Sequence, residues 1–199
     1  MTVEPPGLRE RKKLATRTAL RAAALRLVAR DGLERVTVDQ IALAADVAPR
    51  TFRHYFSCKE EAVVASAQEG AAALVDRFRA RPAGESVLEA LREAVVAVMD
   101  EGEATSRDHL TVLRLARTTP ALQPWQLAVL ATAEADLAAA VADRVGESGR
   151  YPQVCAAATF AVLRLSLGRW LDGPAADLDA LRAEIGAGLA ELARGLDRP

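Results

Sequence analysis

Leu20, Ala23, Ala24, Leu27 and Val28 are spaced i, i+3, i+4, i+7 and i+8, the apolar stripe of an amphipathic helix. Gly32 follows where a C-capping glycine belongs, so the pattern predicts a first helix over residues 8–31. Helical periodicity continues along the chain, and no alternating β-branched run interrupts it. Breakers are sparse: Gly32, Pro82 with Gly84, Gly102, Pro120 with Pro124, Gly146 with Gly149, and Gly173 with Pro174. Between them lie expected helices near 58–80, 86–101, 106–118, 121–145, 152–172 and 177–196. With two short helices in between, the fold class is all-α, with about nine helices in total.

The short helices fall in "VTVDQIALAADVAPRTFRHYF", residues 36–56. Thr37 with Gln40 three residues later is a capping box, opening a helix through about Ala45. Asp46 tolerates the left-handed conformation of a tight turn, and Pro49 suits the first position of a new helix, expected to reach Tyr55. Two short helices joined by such a turn form a helix-turn-helix. The spacing turns Val38, Ile41, Val47, Phe52 and Phe56 inward and Arg50, Thr51, Arg53 and His54 outward. Ser57 with Glu60 reads as a second capping box, opening the long helix that follows.

Charge sharpens this picture. The net charge of the 199 residues is −1, but the first 60 hold 12 Lys+Arg against 7 Asp+Glu, leaving +5, and the remainder carries −6. All three lysines, Lys12, Lys13 and Lys59, lie in the basic part. That asymmetry suits a basic contact surface joined to a more acidic body. A recognition helix needs outward cations and polar groups for base edges and phosphates, and bulky inward anchors to stay rigid. The stretch "TFRHYFSCKEEAV" supplies both. The basic "RERKK" of residues 9–13 reads equally as a solubilising segment or as an arm touching DNA.

Residues 15–63 resemble the DNA-binding region of TetR-family transcriptional regulators. Gly32, Thr37, Ile41, Ala42, Ala45, Val47, Thr51, Phe52, Tyr55, Phe56, Lys59 and Glu60 stand in register with that family's pattern. Departures are Asp46 for the turn glycine, Ala48 for the capping serine, Arg53 for tyrosine and Cys58 for serine or asparagine. The resemblance implies DNA contacts from Thr37, Tyr55 and Lys59 to phosphates. It brings Arg50, Thr51 and Arg53 to base edges, with His54 doing either. It further implies a homodimer on a palindromic operator, a small-molecule effector, and more often repression than activation. A thiol at a helix N-terminus beside Lys59 is expected to have a lowered pKa, which raises a redox role for Cys58 beside the plainer one of a small capping residue.

The expected division is a DNA-binding domain over 1–57 and a ligand-binding and dimerisation domain over 58–199. By the resemblance the last two helices would pair with a partner's, and Gly186-Ala187-Gly188 would let helices approach closely. His109, Arg114, Arg117, Trp125, Phe160 and Arg164 are candidate ligand contacts; Arg164 interrupts an apolar run and is expected to be buried with an anionic partner, Asp136, Asp172 or a ligand. Those arginines permit an anionic or acyl-type effector. With 2 His and 2 Cys, and without a Gly-rich phosphate loop, paired-His motif or nucleophile elbow, neither a metal, a cofactor nor catalysis is expected. No signal peptide is read at the start and no apolar run of spanning length, because Arg164 cuts the longest, so a cytoplasmic location without membrane contact is expected.

Overall fold

A computed structural model describes residues 7–100, 103–173 and 178–195. Among them are nine α-helices and no strand: α1 (Leu8–Asp31), α2 (Val38–Ala44), α3 (Pro49–Phe52), α4 (Lys59–Arg79), α5 (Val87–Asp100), α6 (Glu103–Thr118), α7 (Gln123–Val145), α8 (Arg150–Asp172) and α9 (Leu178–Arg194). Short 3-10 turns at Leu33–Arg35 and Pro120–Leu122, which periodicity does not signal, join α1 to α2 and α6 to α7. The chain divides into two compact units, one of Met1–Ala67 with Arg107–Gln126, the other of Gln68–Ser106 with Leu127–Pro199.

In the first unit, α1 buries Leu20, Ala23, Ala24 and Val28 on the expected stripe, with Leu27 at its half-buried edge. Gly32 ends the helix at φ 84, a conformation that favours glycine, and its N–H bonds the Val28 carbonyl at 2.9 Å. Ile41, Phe52 and Phe56 close on this stripe, and Phe52 and Phe56 pack at 5.7 Å between ring centroids. Arg21, on the same helix as that stripe, is buried and lies 3.8 Å from the Asp108 carboxylate of α6. A buried guanidinium requires such an anion.

The second unit is built from the C-terminal half of α4 with α5, α7, α8 and α9, and buries Phe78, Leu91, Leu137, Val141, Leu181, Ile185 and Leu189. Arg144 of α7 is its polar fastener. Its guanidinium donates to the carbonyls of Arg81, Pro82 and Glu85 and lies 5.4 Å from the Phe78 ring centroid. Those carbonyls lie in the turn between α4 and α5, where the Pro82 carbonyl also accepts from the Glu85 N–H at 3.2 Å, so the arginine ties that turn to α7. α8 and α9 approach closely at Gly188, where a Cβ would stand 2.6 Å from Val162 Cγ1. The expected role of the glycine run is therefore met at Gly188, between two helices of one chain. Gly186 faces open space.

Candidate nucleic-acid interface

The reading unit is held by local bonds that the sequence announces. Thr37 Oγ1 accepts from the Gln40 N–H at 3.2 Å, and Gln40 Oε1 accepts from the Thr37 N–H at 2.9 Å, so both arms of the capping box are made. Asp46 takes φ 55 in the turn, the left-handed conformation asked of it. Ala48 caps α3 without a side-chain bond, and Pro49 opens that helix. α3 is shorter than expected and ends at Phe52. Beyond it the chain tightens: the His54 N–H bonds Thr51 O and the Tyr55 N–H bonds Phe52 O, both three-residue steps, before Phe56 returns to the core.

Arg50, Arg53 and His54 are exposed, Thr51 and Tyr55 half-buried, and Thr37 exposed. Of the residues expected to turn inward, Ile41, Phe52 and Phe56 are buried and Val38 and Val47 half-buried. Buried phenylalanines thus alternate with outward cations over a few residues, which is the layout a base-reading helix needs. Lys59 is placed otherwise. Its Nζ donates to the carbonyls of Leu33 at 2.7 Å and Val36 at 2.9 Å, tying the start of α4 to the link between α1 and α2. Two of the three ammonium donors are used in this way.

The second capping box is displaced by one residue. Glu61, not Glu60, takes the Ser57 N–H at 2.6 Å and the Ser57 hydroxyl at 2.7 Å, while Cys58 Sγ accepts from the Glu61 N–H at 3.4 Å. Cys58 is therefore a cap. Its pKa is raised, first by burial and then by Glu60, against the lowered value expected of a helix N-terminus. The sequence reading also missed Arg17, whose guanidinium lies 4.8 Å from the Phe56 ring centroid. The four-residue spacing of Arg9, Lys13 and Arg17 was the signal available.

Of the candidate ligand contacts, Arg114, Arg117 and Trp125 belong to the first unit, Phe160 and Arg164 to the second. The His109 side chain lies outside the described residues. Phe160 is buried, Trp125 half-buried, and Arg114 and Arg117 exposed. Arg164 is exposed, which corrects its expected burial. The inner stripe of α8 runs through Ala156, Thr159, Ser166 and Trp170, with Leu163 half-buried between, and Arg164 falls one step off it. Cys155 is half-buried. Between α7 and α8 lies an open groove of about 570 Å³, walled mostly by alanines and by none of these candidates.

A helical chain with an ordered helix-turn-helix and outward cations defines a DNA-binding regulator, and comparison with known proteins agrees. Residues 20–66 match the family of bacterial regulatory proteins, tetR family, and residues 85–197 match the MftR C-terminal domain. The chain is 34% identical over 200 residues to the HTH-type transcriptional regulator TcmR of Streptomyces glaucescens, spanning 96% of this chain and 88% of that one. Its fold is similar to the fatty acid degradation regulator FadR of Bacillus halodurans, with TM-score 0.63, 20% identity and full coverage of both chains. It is also similar to Thermus thermophilus FadR, a repressor solved with lauroyl-CoA, with TM-score 0.57, 21% identity and coverage of 92% and 96%. The chain belongs to the TetR family of transcriptional regulators. That family is not an enzyme class.

Proposed function

We propose that this protein is a ligand-responsive repressor that binds a palindromic operator as a homodimer. The observation that carries the reading is the exposed set Arg50, Arg53 and His54, mounted on buried Phe52 and Phe56 and preceded by a complete capping box. Arg50, Thr51 and Arg53 would meet base edges, Thr37 and Tyr55 phosphates, and His54 either. Lys59 would meet a phosphate with the donor that its two carbonyl bonds leave. Residues 1–57 would carry the DNA contact, and 58–199 the effector site and the dimer contact.

A second copy is proposed to cover α8 and α9. One helix-turn-helix spans too few bases to be selective, and two-fold pairing presents two half-sites. The apolar surface of α8 supports this: Tyr151, Val154 and Leu165 are all exposed. α7 and α8 are apolar and long enough, by length and composition, to cross a membrane, contrary to the expectation that Arg164 excludes such a run. The exposed Arg164 and Arg169 on α8 and Asp136 and Asp143 on α7 favour protein over lipid as the cover, because charges at bilayer depth are costly. A cytoplasmic location follows from that reading.

The effector is proposed to be a small molecule, with His109, Arg114, Arg117 and Trp125 gathered in one stretch of chain as its first candidate contacts. Effector binding would shift the population toward a dimer whose reading helices no longer match successive major grooves. The test is to select genomic fragments on the purified protein and measure the best one's affinity against salt. A bound palindrome with a steep salt slope is expected; sequence-blind binding, or none, would overturn the reading.

A further inference from the structure

From Gly7 to Ala15 every residue of α1 and its cap is exposed, so two turns of this helix gain nothing from packing. They hold Arg9, Arg11, Lys12 and Lys13 against a single acid, Glu10. Arg9, Lys13 and Arg17 recur every fourth residue and share one face, and like charges at that spacing oppose the helix. So do cations at the positive end of the helix dipole, and Gly7 caps without a side-chain bond. The residues themselves are good helix formers, but their charges work against the helix, and a cation cluster kept against that cost is expected where function sets the residues.

The lower end of this face is fixed in place. Arg17 lies 4.8 Å from the ring centroid of Phe56, the residue that follows the outward His54 and Tyr55. The basic face therefore starts at the edge of the reading unit and runs away from it for roughly 12 Å between residues 17 and 9, at about 1.5 Å per residue. We infer that the Arg9–Lys13–Arg17 face of α1 lies along the phosphate backbone flanking the operator and anchors the protein without reading sequence. The inference rests on the DNA-binding reading above.

The structure also selects between the two kinds of DNA contact open to a basic arm. A flexible arm can enter the minor groove; an α-helix of roughly 10–12 Å diameter cannot follow a groove about 6 Å wide. Because the segment is helical, its guanidinium and ammonium groups meet phosphates from outside. Phosphates recur every ~3.4 Å of axis along each strand, so the face spans several of them.

The test is the Arg9→Gln/Lys13→Gln double variant of the full chain, titrated with the selected operator fragment and a random fragment of equal length over a range of KCl. Each phosphate contact contributes about 0.9 to the slope of log K against log salt, and the variant removes two contacts from each protomer of the dimer, so the slope is expected to become shallower by about 3.6. Affinity should fall by the same factor on both fragments. The Arg150→Gln/Arg194→Gln variant makes the same change in net charge elsewhere and should leave the slope unaltered, while Arg9→Lys/Lys13→Arg should retain it. An unchanged slope in the first variant, or a loss confined to the operator, would overturn the inference with the regulator intact. A parent protein that binds no DNA would instead sink the regulatory reading on which it rests.

Discussion

Lys59 Nζ donates to the Leu33 carbonyl oxygen at 2.7 Å, joining residues 26 positions apart in the chain. A second bond, to Val36 O at 2.9 Å, makes this cation a strap between α4 and the link that carries the helix-turn-helix. Lys59→Met keeps the aliphatic stem and removes the donors. The expected cost is about 1–3 kcal/mol of stability, the range for losing a charged hydrogen bond at a partly buried site. Urea unfolding measures it. A variant as stable as its parent would show that the strap is not needed.

Arg53 stands outward where α3 ends. If it meets a base edge, Arg53→Ala should weaken operator binding by about 1–3 kcal/mol and flatten preference at one base pair. Titration against a set of single-base operator variants reads both effects. An equal loss on operator and random DNA would make Arg53 a phosphate contact instead.

Gly188 and Gly186 should respond to alanine with opposite signs. At Gly188 the new Cβ meets Val162 Cγ1 at 2.6 Å, and the β-branched Val162 has little rotamer freedom to yield. Overpacking of this kind costs about 1–3 kcal/mol. At Gly186 nothing lies within 4 Å, so alanine should stabilise α9 by about 0.5–1 kcal/mol through helix propensity alone. Parallel urea titrations of the two variants decide it. A destabilising Gly186→Ala would instead place that glycine against another chain.

Cys58 should be a slow nucleophile. Burial raises its pKa, so the thiolate fraction at neutral pH lies below that of a free cysteine and grows only as pH rises toward the higher value. Iodoacetamide alkylation followed from pH 7 to 10 should give a profile displaced to higher pH than free cysteine. The sign follows because burial disfavours the charged form of an acid. A profile displaced to lower pH would reopen a redox role.

The helices and the helix-turn-helix were readable because each rests on bonds between close neighbours. The Thr37–Gln40 box spans three residues, Asp46 sets its own φ, and Gly32 closes α1 onto Val28. Choices between equivalent neighbours were not readable in this way. Ser57 is followed by both Glu60 and Glu61, and which carboxylate turns back to it is decided by the direction in which the chain enters α4. The early end of α3 is of the same kind, since Phe56 must return to the core against Phe52 and the turn tightens to allow it.

By itself, then, the sequence determined where the helices other than α3 approximately start and stop, which face of α1 is apolar, and that cations surround the Phe52–Phe56 pair. Tertiary structure alone decided where the cationic side chains of the chain go. Lys59 found two carbonyls more than twenty residues away, Arg17 found the Phe56 ring, Arg144 found the carbonyls of the turn after α4, and Arg164 fell outside the buried stripe of α8. The physical reason is reach. A cap or a helical period is settled within about one turn of backbone, whereas a long cationic side chain takes its partner from whatever the folded chain brings within hydrogen-bond distance.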